Sequence, residues 1–108
     1  MTTPTEPGPG PAGLDRYTAF DALTFDRPAP GVLRITLDAP GLNAVSIPAH
    51  GQLADVWQTV DRDPDTNVAL LRGAGKAFSA GGSFELIDEI LDDYASRLRV
   101  MREARDLV

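Results

Sequence analysis

The stretch "RGAGKAFSAGGSFE", Arg72–Glu85, places four glycines (Gly73, Gly75, Gly81 and Gly82) and five alanines or serines around Phe78. It lies between the apolar run "VALLRG" and an amphipathic segment. So little side chain leaves two readings. A connector is rich in glycine because glycine reaches backbone angles closed to other residues. A site whose chemistry is carried by the backbone uses glycine because a ligand can then approach the N–H groups directly. A strand that ends in small residues and turns into a helix N-terminus presents free N–H groups and the positive end of a dipole to any oxyanion placed there. Such donors stabilise charge developing on a carbonyl oxygen.

The stretch fails the named loop motifs. A Walker A loop needs glycine where Leu70 stands and Ser or Thr at Ala77, and a dinucleotide fingerprint starting at Gly73 needs glycine at Phe78. "AFSAG" differs from the G-x-S-x-G nucleophile elbow only at Ala77, but that triad needs an acid and then a histidine downstream of Ser79. The single histidine, His50, lies upstream, and is read as an exposed residue in the first turns of a helix.

Working outward, "ALTFDR" and "GVLRITLDA" flank the turn signal "PAPG", and Leu33, Ile35 and Leu37 alternate with Arg34 and Thr36, which predicts a hairpin. From Ile47 to about Asp63, Leu53, Val56, Trp57 and Val60 keep helical spacing, with Ser46 as N-cap and Pro48 early in the helix. "VALLRG" lacks alternation and reads as a strand covered on both faces. Beyond the loop, with Ser83 as cap, Phe84, Ile87, Leu91, Tyr94, Leu98, Met101 and Val108 form one apolar face of a long helix or of two consecutive helices. Acidic residues (Glu85, Asp88, Glu89, Asp92, Asp93) precede basic ones (Arg97, Arg99, Arg102, Arg105), a distribution that suits a helix macrodipole and a solvated face.

The 108 residues, 43% of them apolar, support one small domain. A net charge of −6 and the lack of a basic face argue against nucleic-acid or anionic-membrane binding. No apolar run approaches the roughly 20 residues of a membrane span. The absence of cysteine excludes disulfides and thiolate metal sites and fits a cytoplasmic setting; no metal site is expected. The opening "MTTPTEPGPGPAGLD" has no apolar region of a signal peptide and reads as a flexible tail over residues 1–16, with residues 17–108 as the domain. The functional alternative for the tail is a proline-rich ligand for a partner.

At these residues the chain resembles the enoyl-CoA hydratase/isomerase (crotonase) superfamily. Its members run through a strand like "ITLDAP", then "LNAVS", a helix, an acidic D-x-D turn, an apolar strand and "GAGKAFSAGG". Here those segments are Ile35–Pro40, Leu42–Ser46, the Trp57 helix, "DRDPDTNVALLRG" and Gly73–Gly82, in that order. The resemblance implies an α/β fold, the N-terminal portion of a crotonase-like spiral of strand-strand-helix repeats, truncated after a long helix. It implies an acyl-CoA thioester as partner, with coenzyme A as part of the substrate and no cofactor, and assembly as a trimer or a dimer of trimers. The position matching Ala80 would give the first oxyanion-hole N–H, and Leu42, Ala44, Phe78, Ala80, Gly81, Gly82 and Ser83 would line the substrate site.

Two departures stand out: Ser83 replaces the usual aspartate after "AGG", and the "APG-LN" loop is one residue short. The second oxyanion glycine and the catalytic glutamates would belong to segments beyond the Arg105 helix. None of Glu6, Glu85, Glu89 and Glu103 matches them, so the 108-residue chain alone is expected to be inactive. The alternative is a non-catalytic module of the same origin that binds CoA or associates with a complete homologue.

Overall fold

The computed structural model describes residues 13–108. Most of the expected tail, residues 1–12, lies outside the described residues, while Asp15–Tyr17 form a short 3-10 turn that buries Tyr17. Strand β1 (Thr24–Ala29) pairs antiparallel with β2 (Val32–Leu37), the hairpin read from "PAPG". Helix α1 (Ile47–Asp61) crosses over to β3 (Val68–Gly73), which runs parallel to β2, so the sheet order is β1-β2-β3. The Ser46 hydroxyl accepts from the Ala49 N–H at 3.2 Å and Pro48 sits in the first turn, which is how α1 starts where the sequence places it.

The core follows from the alternation in β2. Leu33, Ile35 and Leu37 are buried on one sheet face together with Leu53 and Val56 of α1, Leu23 and Tyr17. Fully burying each such aliphatic side chain is worth about 1.5–3 kcal/mol. The Tyr17 ring stacks on Phe25 of β1 with centroids 4.9 Å apart. The reading of β3 as covered on both faces is corrected: Val68 is 56% and Leu70 46% exposed, whereas Ala69 and Leu71 are half-buried. Among the described residues β3 has β2 as its sheet neighbour, and the core lies against the Leu71 side only.

Two helices, α2 (Phe84–Asp92) and α3 (Tyr94–Leu107), follow the loop. Asp93 separates them in an extended conformation (φ −137°), and its carboxylate accepts from the Ser96 N–H at 2.9 Å to cap α3. The single-macrodipole reading of the charges therefore does not hold. Instead Arg97 donates to the Ile90 carbonyl at 2.9 Å, placing a cation at the C-terminal end of α2, and Arg99 bridges to Glu89 at 2.8 Å. His50 is not exposed as expected; it is part-buried, with Nδ1 2.7 Å from Glu103 Oε1, and ties α1 to α3.

Leu86 and Val100 face inward, while the periodic apolar stripe faces out: Phe84 is 85%, Leu91 68% and Met101 64% exposed. Contiguous apolar surface of this kind drives association. Sedimentation velocity of the purified chain is expected to show association that grows with concentration. A monomer at every concentration would contradict this expectation.

Asp63, just after α1, has its side chain buried. It accepts from the Tyr17 hydroxyl at 2.6 Å, Thr66 Oγ1 at 2.8 Å, the Asp65 N–H at 2.9 Å and Arg27 Nη2 at 2.9 Å. Burial opposes its ionisation, but these donors outweigh burial and hold the carboxyl well below the usual carboxylate range. Burial, reinforced by the Asp63 carboxylate, pushes the Tyr17 hydroxyl up to about 12. An acid held down in the folded state contributes stability above its unfolded value and loses it as pH falls; a phenol held up contributes below its unfolded value and loses it as pH rises. The cluster's contribution is therefore expected to be full between about pH 4 and pH 10, the unfolded values of the two groups, and to decline outside that window. Urea midpoints measured across pH test this, and a midpoint that rises on acidification below pH 4 would contradict it.

Candidate functional site

Because β2 and β3 are parallel and in register, with Leu37 opposite Gly73, their carboxyl ends finish level. The segments that follow, 38–46 and 74–83, emerge at the same edge of the sheet, where open α/β folds bind ligands. The Ala74 N–H donates to the Leu37 carbonyl at 2.8 Å and extends the pairing one step. Gly73 then allows the chain to fold back on itself: a Cβ there would lie 2.3 Å from the Ala77 carbonyl oxygen and 2.6 Å from Phe78 Cα. Only glycine leaves room for that approach.

The first segment turns through three successive left-handed residues, Gly41 (φ 68°), Leu42 (φ 61°) and Asn43 (φ 62°). For a residue with a Cβ this conformation costs roughly 1–2 kcal/mol, with asparagine the most tolerant. Hydrogen bonds offset the cost. Buried Asn43 accepts through Oδ1 from the Ala39 N–H at 2.8 Å, and its Nδ2 donates to the carbonyls of Ala74 and Ala77, each at 2.9 Å. One side chain thus closes its own turn and fastens it to the glycine-rich loop. Further on, the Val45 N–H donates to the Gly81 carbonyl at 2.7 Å and the Ser83 N–H to the Val45 carbonyl at 2.8 Å, a short parallel bridge.

Between the two segments lie two adjoining clefts. One, of about 380 Å³, runs from Ala39–Gly41 to Ser83–Glu85; the other, of about 320 Å³, is bordered by Ala80, Gly82 and Ile87. Both share Gly41, Ala44, Ser83 and Phe84, so they form a continuous, largely apolar surface. Ser83 ends it as the cap of α2, its hydroxyl accepting from the Leu86 N–H at 3.2 Å. Among the described residues the Ala80 N–H donates to no protein acceptor. A free donor beside an apolar cleft and a helix N-terminus is an arrangement that favours a carbonyl oxygen gaining negative charge.

Of the residues singled out in the sequence, Ala44, Ala80, Gly82 and Ser83 come together at this surface. Leu42 (63% exposed), Phe78 (56% exposed) and Gly81 do not line it. Gly81 is instead part of the scaffold: its N–H donates to Ser79 Oγ at 3.1 Å and its φ is +95°. Ser79 donates to the Asn43 carbonyl at 2.9 Å. Its hydroxyl is engaged in fastening the loop rather than paired with a histidine base, in keeping with the rejection of a nucleophile there. Asn43 lies within the "LNAVS" segment, but sequence reasoning missed its role as the clamp between the two segments, and it missed Glu85 as a carboxylate on the cleft border. Glu89 and Glu103 are paired with Arg99 and His50. No cluster of potential metal ligands occurs among the described residues, and none of their helices is long and apolar enough to cross a membrane.

A model of the enoyl-CoA hydratase/isomerase family matches residues 27–103. A mevalonyl-coenzyme A hydratase of Beauveria bassiana is 46% identical over 59 residues, which are 54% of this chain and 21% of that protein. The mitochondrial 3-hydroxyisobutyryl-CoA hydrolase of Mus musculus is 42% identical over 73 residues, 66% of this chain and 18% of that protein. The crystal structure of an enoyl-CoA hydratase/isomerase from Mycobacterium paratuberculosis superposes with a TM-score of 0.72 at 36% identity, covering 80% of this chain and 34% of that one. The chain thus spans about a fifth of the length of these curated relatives and about a third of the solved one. The match takes in β2, the crossover helix and both cleft segments, and the chain belongs to the enoyl-CoA hydratase/isomerase family.

Proposed function

We propose that the chain supplies one wall of an acyl-CoA site, in which the Ala80 N–H donates to the thioester oxygen as negative charge develops on it. The observation that carries this reading is the unengaged Ala80 N–H beside the cleft formed by Ala44, Gly82, Ser83 and Phe84. The relatives carry out hydration, hydrolysis, dehydration and isomerisation, and each is named for a CoA thioester. What those reactions share is the thioester carbonyl, and a backbone donor aimed at that oxygen serves all of them equally. The apolar lining suits an acyl or pantetheine chain, and the hydroxyls of Ser46 and Ser83 with the Glu85 carboxylate give its border a polar character.

A complete oxyanion site has a second donor and a general acid or base. The reading places these on protein outside the described cleft, so the 108-residue chain binds the thioester without turning it over. A trimeric assembly and a cytoplasmic setting belong to the same reading. The test is isotope-edited infrared spectroscopy with butyryl-CoA carrying ¹³C at the thioester carbon. The carbonyl stretch is expected to move to lower frequency when the chain binds it. A bound thioester whose stretch stays at the solution value would overturn the reading.

A further inference from the structure

We infer that Asn43, acting through Ser79, is the positioning residue that holds the Ala80 N–H in its donating geometry. This inference rests on the reading of Ala80 as the donor. The peptide units on either side of that N–H are fastened to the opposite segment. On the upstream side, Ser79 Oγ donates to the Asn43 carbonyl at 2.9 Å; on the downstream side, the Gly81 carbonyl accepts from the Val45 N–H at 2.7 Å. The same Ser79 oxygen accepts from the Gly81 N–H at 3.1 Å. That hydrogen bond occupies the neighbouring Gly81 donor, while the Ala80 N–H, on the cleft border, donates to no protein acceptor among the described residues.

Asn43 anchors this arrangement. It is 3% exposed, and its side chain uses both N–H groups and its oxygen within the two segments. Its left-handed backbone aims its own carbonyl at Ser79, so the position of Ser79 is set by a residue that is itself held by three side-chain hydrogen bonds and by its own N–H, which donates to the Ala39 carbonyl at 3.3 Å. A donor serves an oxyanion only when it is fixed before the charge develops, and a misplacement of about 1 Å can cost on the order of 100-fold in rate. The strained Leu42–Asn43 turn fits this role, because strain persists where the surroundings over-determine a conformation.

Asn43→Asp is the informative substitution. It keeps the size and the tolerance of positive φ but replaces both N–H donors with an oxygen facing the Ala74 and Ala77 carbonyls. With ¹³C-labelled butyryl-CoA as the probe, the parent chain is expected to shift the carbonyl stretch. Asn43→Asp is expected to lose that shift while its affinity for coenzyme A itself stays at the parent's value. Ser79→Ala is expected to lose part of the shift and Ser79→Thr, which keeps the hydroxyl, to restore it. This pair decides the matter if circular dichroism shows that Asn43→Asp does not fold. An undiminished shift in Asn43→Asp, or equal shifts in Ser79→Ala and Ser79→Thr, would overturn the positioning role. Absence of a shift in the parent would overturn the functional reading instead.

Discussion

Ala80→Pro is expected to lower kcat by roughly 100- to 1000-fold, the usual cost of one oxyanion donor, about 2.7–4 kcal/mol of transition-state stabilisation. The measurement uses a hybrid in which this chain replaces the matching third of the Mycobacterium paratuberculosis enzyme, its structural neighbour at a TM-score of 0.72. Proline deletes an N–H that has no protein acceptor among the described residues, so no hydrogen bond of the loop is lost with it. It can also distort the loop, so the loss counts as catalytic only where coenzyme A affinity and thermal melting stay near the parent. Ser79→Ala should be much milder, because that hydroxyl fastens the loop and takes no part in bond making. An inactive Ser79→Ala beside an active Ala80→Pro would reverse the assignment and revive a serine nucleophile.

Asp63→Ala is expected to be the most destabilising single truncation outside the cleft, by about 3–5 kcal/mol, the cost of breaking a buried pair from one side. The substitution strips the Tyr17 hydroxyl, the Thr66 hydroxyl and the Arg27 guanidinium of an acceptor they share. Tyr17 is 1% exposed, so no bulk water reaches it to replace the lost bond. Since a small domain has only about 5–15 kcal/mol in hand, the loss should show as a large fall in the urea midpoint. Tyr17→Phe removes one donor and leaves the carboxylate its others, so it should cost much less. Equal midpoints for Asp63→Ala and the parent would show that the cluster adds nothing to stability.

The elements that the sequence made legible are those whose signal is local. The alternation of Leu33, Ile35 and Leu37 marks an inward-facing strand, Ser46 with Pro48 marks a helix start, and Ser83 marks another. The loop between them stood out because small residues at Gly73, Gly81 and Gly82 have few other uses in so short a stretch. What stayed hidden is what partners far along the chain determine. Asn43 takes its role from Ala74 and Ala77, more than thirty residues away, and His50 takes its burial from Glu103, 53 residues away. Periodicity reveals that α2 and α3 carry an apolar stripe but not which way it faces, and the inward positions proved to be Leu86 and Val100. The break at Asp93 was readable only as a choice between one helix and two, because aspartate is tolerated on a solvated face and also favoured as a cap. Likewise, an apolar strand without alternation fits both a covered strand and the half-covered β3.

Replacing the Ala80 peptide bond by an ester, through semisynthesis with lactate in place of alanine, removes the N–H and leaves the side chain and the loop's covalent path unchanged. Infrared spectra of bound ¹³C-labelled butyryl-CoA then report on that one hydrogen atom. If the Ala80 N–H donates to the thioester oxygen, the ester variant binds coenzyme A as the parent does and its carbonyl stretch returns to the solution value. An ester variant that shifts the stretch as far as the parent would contradict backbone donation at Ala80.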